Sequence, residues 1–442
     1  MADLVVVGSG PGGVAAALTG ARLGAAVTLA ERGALGGVCV QAGCIPTSAY
    51  HRSVEAFTVA AGSAGLGVST GPPSMDWERM HVWVSSVVNG AVARTRSALD
   101  YAGVQVSPTR ARLVGGLRVE VGDRVFDGTP VVLACGARSV LPDLPGRPAA
   151  EPLTNEGAMS LSAAPASLVV LGAGRFGIEW ADVFSTLGSQ VTVVAPGARL
   201  LPAEDADLAG FLQMVLEERG VRFLLGTGVD EVDGATVVAG GQRVDAARIL
   251  SADARAANVD DLGLEDAGVA LGEHGGIEVD AGSRTTAEGV YAAGDVTGPP
   301  WLSNRARQQG EVAATNALGG SAKVRPERIP RSVNTYPPLA AVGYTEEEAA
   351  ARGVDVGVGY GDLAGNLKAL TLGEPRGALK LVVDRSFGEI LGAHMVGEHA
   401  EEVIAQLVLA MEAELDYRDL ARAAHLHPSL AELVTEAARS VQ

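Results

Sequence analysis

Two cysteines stand five residues apart near the beginning of the chain. Cys39 and Cys44 lie within residues 36–46, which read Gly-Gly-Val-Cys-Val-Gln-Ala-Gly-Cys-Ile-Pro. At this spacing the two thiols come within about one helical turn of each other, so they can form a disulfide if the turn is distorted. A metal site would need more Cys or His ligands than this stretch supplies, and we predict none. The pair therefore indicates thiol–disulfide exchange, with two small buried thiols as the alternative.

A glycine-rich turn precedes this pair. Residues 4–7 are an apolar run typical of a buried parallel strand, and Gly8, Gly10 and Gly13 follow it in the pattern G-x-G-x-x-G. A helix of small residues and a second apolar strand come next, and Glu31 ends that strand. Strand, glycine turn, helix, strand and terminal acid together predict a dinucleotide-binding unit, in which backbone N–H groups contact the pyrophosphate and the acid accepts hydrogen bonds from the ribose.

The same pattern returns 164 residues later. Residues 168–171 form the strand, and the glycines are Gly172, Gly174 and Gly177. The position that corresponds to Glu31 is occupied by Ala195. The chain therefore contains two nucleotide folds, and the second lacks its ribose-binding acid. Two such units predict an enzyme that passes electrons between a flavin and a second dinucleotide.

Composition and charge exclude several classes of protein. The length of 442 residues suggests roughly three domains. The net charge of −18 disfavours nucleic-acid binding. Three cysteines are too few for a secreted disulfide scaffold, and we expect the third, Cys135, to be an inert buried thiol. The N-terminus lacks the cations of a signal peptide, and glycines and a proline interrupt the apolar residues 4–30, so we expect a cytoplasmic protein without a membrane span.

The cysteine segment resembles a known family. Its pattern Gly-Gly-x-Cys-x4-Cys-x-Pro is similar to the redox motif of the class I flavoprotein disulfide reductases, which include dihydrolipoamide dehydrogenase, glutathione reductase and mycothione reductase. The resemblance extends along nearly the whole chain, through segments similar to family motifs at residues 133–138, 291–295, 337–346, 392–397 and 425–432.

The resemblance implies a bound FAD and assigns roles to the thiols. The residues expected to hold FAD are Gly8, Gly10, Gly13, Glu31, Gly37, Gly136 and Asp295. By the same resemblance Cys39 is the thiol that exchanges with substrate, and Cys44 faces the flavin as the charge-transfer thiolate. His427, contributed by the partner subunit of a homodimer, is the acid–base for Cys39, and Glu432 orients it.

The sequence departs from the family on the nicotinamide side. Ser48 stands where the family carries a lysine that pairs with a glutamate, while that glutamate is present as Glu179. We predict that Arg175, four residues before Glu179, neutralises this carboxylate and fills the nicotinamide side of the flavin; the alternative is that Arg175 points to solvent. Ala195 and Ala254 replace the ribose acid and a family glycine. These departures predict that ordinary NAD(P)H use is weakened or lost.

Three functions follow from these residues. The first is an FAD-dependent dithiol oxidase, in which a small dithiol reduces Cys39–Cys44 and an acceptor other than NAD⁺ removes the electrons. The alternative is an NAD(P)H-dependent disulfide reductase or a dihydrolipoamide dehydrogenase. The third is a non-catalytic flavoprotein subunit, which the retained cysteines and His427 disfavour.

The predicted fold is α/β, with two Rossmann-like dinucleotide-binding domains, one for FAD and one NAD-like, and a C-terminal α+β dimerisation domain. The FAD-binding domain is expected at residues 1–150 and again at 268–325. The NAD(P)-binding-like domain is inserted at residues 151–267, and the interface domain covers residues 326–442. We expect a homodimer that acts on a small dithiol or disulfide and binds neither nucleic acid nor membrane.

Overall fold

The two glycine repeats each lie at the end of a parallel sheet. The structure, a computed structural model, describes residues 3–442. Its helices are α1 (Pro11–Arg22), α2 (Gly37–Gln41), α3 (Cys44–Gly62), α4 (Trp77–Tyr101), α5 (Asn155–Met159), α6 (Arg175–Thr186), α7 (Ala206–Glu218), α8 (Leu264–Ala267), α9 (Ser303–Ala317), α10 (Glu346–Ala351), α11 (Leu367–Leu372), α12 (Ala400–Glu412), α13 (Tyr417–Arg422) and α14 (Glu432–Arg439).

The strands are mostly short. They are β1 (Leu4–Val7), β2 (Val27–Ala30), β3 (Gln105–Ser107), β4 (Ala111–Leu113), β5 (Arg118–Val121), β6 (Arg124–Asp127), β7 (Val131–Leu133), β8 (Ala137–Ser139), β9 (Gly146–Pro148), β10 (Ser167–Leu171), β11 (Gln190–Ala195), β12 (Arg222–Leu225), β13 (Val229–Gly234), β14 (Thr236–Ala239), β15 (Gln242–Asp245), β16 (Arg248–Leu250), β17 (Arg255–Ala257), β18 (Val290–Ala292), β19 (Arg331–Val333), β20 (Leu339–Gly343), β21 (Val356–Asp362), β22 (Ala378–Asp384) and β23 (Ile390–Val396).

The chain divides into two units. The first holds the chain up to Tyr50 together with Asp76–Val140 and Ala254–Arg325, and the second holds His51–Met75, Leu141–Asp253 and Pro326–Gln442. The finer division into four segments that the sequence suggests stays a prediction.

The first unit is built on a parallel five-stranded sheet in the order β18-β7-β1-β2-β3. The central strand β1 consists of four buried apolar residues, as expected for a strand covered on both faces. Helix α1 begins with Pro11 in its first turn, which suits the fixed φ of proline. Helices α1 and α9 approach closely at Gly12, where an added Cβ would lie 3.0 Å from the carbonyl oxygen of Ala306. Sheet and helices thereby fix the turn between β1 and α1.

Within the described residues, the second unit holds three sheets, one of which has the order β15-β14-β13-β9. A parallel sheet in the order β12-β11-β10-β16 carries the second glycine turn between β10 and α6. An antiparallel sheet in the order β19-β20-β23-β22-β21 forms the C-terminal part, and its buried face packs with residues of α12 and α14 in one apolar core. The capping box of α10, in which Thr345 and Glu348 satisfy each other's backbone N–H groups, fixes the chain after β20.

Residues 3–442 contain neither a membrane-spanning helix nor a cluster of metal ligands. No helix within residues 3–442 is both long and apolar enough to cross a membrane. Across the same residues, no group of three or more His, Cys, Asp or Glu side chains is placed to hold a metal ion.

Candidate functional site

The first glycine turn leaves open space beside the beginning of α1. An added Cβ at Gly10 would meet no atom of residues 3–442 within 4 Å. Gly10 is also the N-cap of α1, and no side chain in the described part of the chain caps this helix end. The unpaired N–H groups of the first turn, together with the positive end of the helix dipole, therefore favour an anion such as a pyrophosphate. Gly8 and Gly13 lie against backbone atoms, so neither position has room for a side chain.

Glu31 is held beside this turn by three hydrogen bonds. Its Oε2 accepts from the backbone N–H of Ser9 at 2.8 Å and from the Ser9 hydroxyl at 2.7 Å. Its Oε1 accepts from the N–H of Gly33 at 2.7 Å. The carboxylate thus lies at the end of β2, where the ribose of a bound dinucleotide would need an acceptor.

Gly37 brings the cysteine segment against the same turn. Its φ of +59° is left-handed, and an added Cβ would lie 2.7 Å from the Cα of Gly10. The N–H of Gly36 donates to the carbonyl oxygen of Ser9 at 3.1 Å, which ties the two loops together. Only glycine allows this approach, because a side chain at position 37 would overlap the first turn.

The two thiols of the pair face each other across a break between two helices. Cys39 lies in α2 and Cys44 begins α3, with Ala42 and Gly43 between the helices. No disulfide joins the two cysteines in this structure; Cys39 is partly buried and Cys44 is exposed. The pKa of Cys39 is raised, first by its hydrogen bond with Cys44 and then by burial. The Sγ of Cys44 lies 3.7 Å from the hydroxyl of Ser303 at the start of α9, which can donate to a thiolate.

Gly136 and Asp295 occupy the carboxyl ends of the neighbouring strands. Gly136 follows β7 with a φ of +70°, and Asp295 follows β18. Asp295 Oδ2 lies 3.9 Å from Nη2 of Arg255. In parallel sheets, ligands bind at this edge.

His427 and Glu432 form a hydrogen-bonded pair in the second unit. His427 Nδ1 lies 2.9 Å from Glu432 Oε1, and Glu432 Oε2 accepts from the N–H of Ser429 at 2.9 Å. The hydrogen bond from His427 lowers the pKa of the Glu432 carboxyl. Because Nδ1 is engaged, proton exchange with another group falls to Nε2 of this exposed imidazole.

Glu179 has a partner that the sequence did not indicate. This buried carboxylate accepts at Oε1 from the backbone N–H of Asn334 at 2.9 Å and from its side-chain amide at 3.0 Å. The guanidinium of Arg175 lies 4.6 Å from the ring centroid of Phe176. Neutralisation of Glu179 by Arg175 stays a prediction. Ser48 is exposed on α3, in the first unit.

The second glycine turn is filled by a carboxylate of the chain itself. Asp253 Oδ2 accepts from the N–H of Gly174 at 3.0 Å, and Oδ1 accepts from the N–H of Phe176 at 3.1 Å and of Gly177 at 3.3 Å. Burial raises the pKa of this carboxyl, while the three N–H groups act in the opposite direction. Ala195 is buried at the end of β11, and Ala254 accepts from the N–H of Val140 at 3.0 Å.

Comparisons with known proteins cover almost the entire chain. Residues 2–315 match the family described as pyridine nucleotide-disulphide oxidoreductase, and residues 329–438 match the dimerisation domain of that family. The chain belongs to the pyridine nucleotide-disulphide oxidoreductase family. Dihydrolipoyl dehydrogenase of Geobacillus stearothermophilus is 34% identical over 99% of this chain and 95% of its own. The corresponding enzyme of Thermus scotoductus is 35% identical over 99% and 97%.

Solved structures support the same assignment. LpdA from Mycobacterium tuberculosis superposes with a TM-score of 0.90 at 31% identity, covering 99% of both chains. The HOCl-induced flavoprotein disulfide reductase RclA from Escherichia coli gives a TM-score of 0.86 at 27% identity, again over 99% of both chains.

Membership of the pyridine nucleotide-disulphide oxidoreductase family confirms several of the predictions made from the sequence and leaves others unconfirmed. The family resemblance, the α/β fold with its C-terminal dimerisation domain, and a flavoprotein oxidoreductase acting on sulfur are confirmed. The dimerisation domain supports a homodimer. The narrower prediction of a dithiol oxidase is not confirmed, because the curated relatives named above are dehydrogenases and favour the alternative. The predicted loss of NAD(P)H use is likewise unconfirmed.

The two dinucleotide sites of this family member differ in how well they fit a ligand. At the first turn, open space at Gly10, uncapped N–H groups and the fixed Glu31 carboxylate suit FAD. At the second turn, the Asp253 carboxylate fills the space that a pyrophosphate needs, so these residues do not fit a pyridine nucleotide in this arrangement.

Three residues of these sites escaped the sequence analysis as functional candidates, and only one of them left a signal in the sequence. Asp253 is an acid three residues beyond the end of β16, at the position where the first repeat has Cys135. Asn334 and Ser303 are remote in sequence from the residues they contact, at separations of 155 and 259 residues. No local pattern indicates such contacts.

Proposed function

We propose that this chain is an FAD-dependent dehydrogenase of a small dithiol, similar in substrate class to the dihydrolipoyl dehydrogenases that it resembles. The observation that carries the proposal is the close approach of Gly37 to Gly10, which holds the Cys39–Cys44 pair against the open first glycine turn. When bound, FAD supplies a two-electron acceptor beside the thiols. The residues that would hold it are Gly8, Gly10, Gly13, Glu31, Gly37, Gly136 and Asp295.

The thiol chemistry is an exchange in which atoms and electrons balance. With the pair oxidised, a substrate thiolate attacks the sulfur of Cys39, breaks the Cys39–Cys44 bond and leaves Cys44 as a thiolate. The second substrate thiol then attacks the mixed disulfide and releases Cys39. The substrate leaves as a disulfide, and the pair takes up its two electrons. The Ser303 hydroxyl, 3.7 Å from Cys44, can donate a hydrogen bond to the thiolate that forms.

The His427–Glu432 pair serves as the acid–base in this proposal. Glu432 fixes the imidazole through Nδ1, so that Nε2 can take the proton from a substrate thiol and return it to Cys39. As the family resemblance implies, we assign His427 of the partner subunit to each Cys39. Mixed dimers of Cys39→Ser and His427→Ala subunits test this assignment: recovery of about a quarter of the active sites supports it, and no recovery contradicts it.

The electron acceptor separates two versions of the function. The family's description names a pyridine nucleotide, and the curated relatives are dehydrogenases, so a pyridine nucleotide is the first choice. A dithiol oxidase that uses O2 or a quinone is the second, favoured by the carboxylate of Asp253 in the second glycine turn.

Anaerobic half-reactions test both versions. Purified flavoprotein receives excess dihydrolipoamide in one sample and NADH or NADPH in another, and flavin bleaching and the long-wavelength thiolate-to-flavin band are followed over seconds. Reduction by the dithiol supports the proposal, and its absence contradicts it. Rapid reduction by a nicotinamide supports the dehydrogenase, whereas reduction by the dithiol alone, followed by reoxidation in air, supports the oxidase. Cys44→Ser should abolish the band, and Cys135→Ser, the matched control thiol, should keep it.

A further inference from the structure

We infer that Asp253 determines which electron acceptor this enzyme can use, because its carboxylate occupies the second glycine turn in place of a dinucleotide pyrophosphate. A pyridine nucleotide binds only after this side chain leaves the turn, and wild-type affinity is therefore low. This inference rests on the proposed function and deepens it, since it concerns the acceptor of the same reaction.

The contacts of Asp253 are those that a pyrophosphate would make. Its two oxygens accept from three N–H donors at the N-terminus of α6, those of Gly174, Phe176 and Gly177, at 3.0–3.3 Å. A Cβ added at Gly174 would lie 2.8 Å from the Cγ of Asp253, and one added at Gly172 would lie 2.8 Å from Oδ2. The space that the glycines leave free is therefore already taken by an anion, at the helix end where an anion is most stable.

The first turn shows that the motif does not require such an occupant. Val6 pairs with Val132 in the first sheet, and Val170, its equivalent at offset 164, pairs with Leu250 in the second. Cys135 and Asp253 each lie three residues beyond these partners, so they are equivalent positions. The Sγ of Cys135 faces the carbonyl oxygen of Val7 at 3.7 Å, and the space at Gly10 stays open.

The negative charge of Asp253 disfavours pyrophosphate binding in addition to the volume that its side chain occupies. A dinucleotide pyrophosphate carries two negative charges, and it would enter beside a carboxylate that already uses the N–H donors it needs. Either the ligand forgoes these hydrogen bonds or Asp253 gives them up, and both routes reduce affinity. Ala195, at the end of β11, supplies no carboxylate for the ribose. The second site therefore lacks one attraction and contains one competitor.

Direct binding tests the inference on the FAD-loaded full-length protein. NAD⁺ is titrated calorimetrically into wild type, Asp253→Ala and Asp253→Asn, because NAD⁺ binding can be measured without turnover. Removal of the carboxylate is expected to tighten NAD⁺ binding by about tenfold or more in Asp253→Ala. The isosteric Asp253→Asn removes the charge but keeps most of the bulk, so it is expected to give a smaller gain. Asp245→Asn, which changes an exposed carboxylate of β15 in the same unit, is the matched control and should bind NAD⁺ as wild type does.

The results separate this inference from the proposed function. If neither Asp253 variant binds NAD⁺ more tightly than wild type, Asp253 is only a helix cap and the inference is overturned. Flavin reduction by dihydrolipoamide is measured on the same preparations and reports the dithiol function alone. A variant that binds NAD⁺ more tightly supports the inference even if dihydrolipoamide fails to reduce the flavin. Unchanged NAD⁺ binding alongside rapid reduction by the dithiol contradicts only the inference. The Asn variant keeps the test decisive if the Ala variant fails to fold.

Discussion

The two glycine turns of this chain have nearly the same backbone but different occupants. Gly8 and Gly172 have φ values of +100° and +102°, and the N-caps Gly10 and Gly174 are both extended, with ψ of 178° and 179°. Only the second turn is closed, by a carboxylate from the end of a neighbouring strand. In both turns the backbone presents N–H groups that favour an anion, and in the second turn Asp253, a residue outside the glycine fingerprint, supplies that anion.

The residues at the ends of β2 and β11 are a second difference between the two dinucleotide folds. Glu31 follows β2 in the first unit and is held by Ser9 and Gly33. Its counterpart Ala195 has no polar side chain. The first turn thus keeps both features of a dinucleotide site, an open helix end and a ribose acceptor, and the second keeps neither.

Transfer of the carboxylate to the first turn should have the largest effect. Cys135→Asp places an acid at the position equivalent to Asp253, where it can reach the N–H groups of α1. We expect FAD affinity to fall by at least about tenfold, because the new anion competes with the pyrophosphate. Flavin content after gel filtration measures the loss. Cys135→Asn is the neutral control, and the comparison fails if Asp and Asn release flavin equally.

A methyl group placed in each turn should distinguish open from occupied space. Gly10→Ala finds no atom of the described chain within 4 Å, so the protein should fold while its pyrophosphate site is narrowed, and we expect about tenfold weaker FAD binding. Gly174→Ala meets Asp253 at 2.8 Å and should lower Tm without loss of flavin. Flavin retention and thermal unfolding of the two variants are measured together. Equal flavin loss in both would contradict the assignment of FAD to the first turn.

Removal of the ribose acceptor should have a smaller effect. Glu31→Gln keeps the size of the side chain but weakens its hydrogen bonds from Ser9, so we expect FAD to bind several-fold less tightly. Equilibrium dialysis of the apoprotein with FAD measures this. Glu278→Gln, a change of an acidic residue elsewhere in the first unit, serves as the control, and an affinity equal to wild type in Glu31→Gln would show that this carboxylate has no part in binding.

Loss of the cap at the second turn should have the smallest effect. Asp253→Ala leaves three N–H groups of α6 without their acceptor, which should cost about 1 kcal/mol and lower Tm by roughly 1–4 °C. Differential scanning calorimetry of the FAD-loaded protein reports the shift. A rise in Tm would show that the partly buried charge of Asp253 destabilises the fold by more than its hydrogen bonds stabilise it.

Local patterns account for most of what the sequence could predict. The strands β1 and β10, their glycine turns, and the cysteine pair are set by residues close together in the chain, and family motifs support the fold and the chemical class. The surroundings of Glu179 show the limit of local patterns. The sequence predicts Arg175 as a partner of Glu179, and this stays a prediction; the structure adds hydrogen bonds from Asn334, which is 155 residues away and which the sequence did not indicate. Contacts across such separations depend on how sheets and loops pack, which no local period encodes.

The sequence by itself predicted two dinucleotide folds and a cysteine pair that can form a disulfide, because strand periodicity, glycine spacing and cysteine spacing are local requirements of backbone geometry. The redox role of the pair and the dimerisation domain were implied by the family motifs. Only the tertiary structure shows that a carboxylate of the chain itself fills the second glycine turn. The parallel register of β16 beside β10 carries Asp253 to the N-terminus of α6, and the helix dipole and three N–H groups hold its carboxylate there. Placement of a charge at a helix end depends on the packing of strands that are distant in the chain.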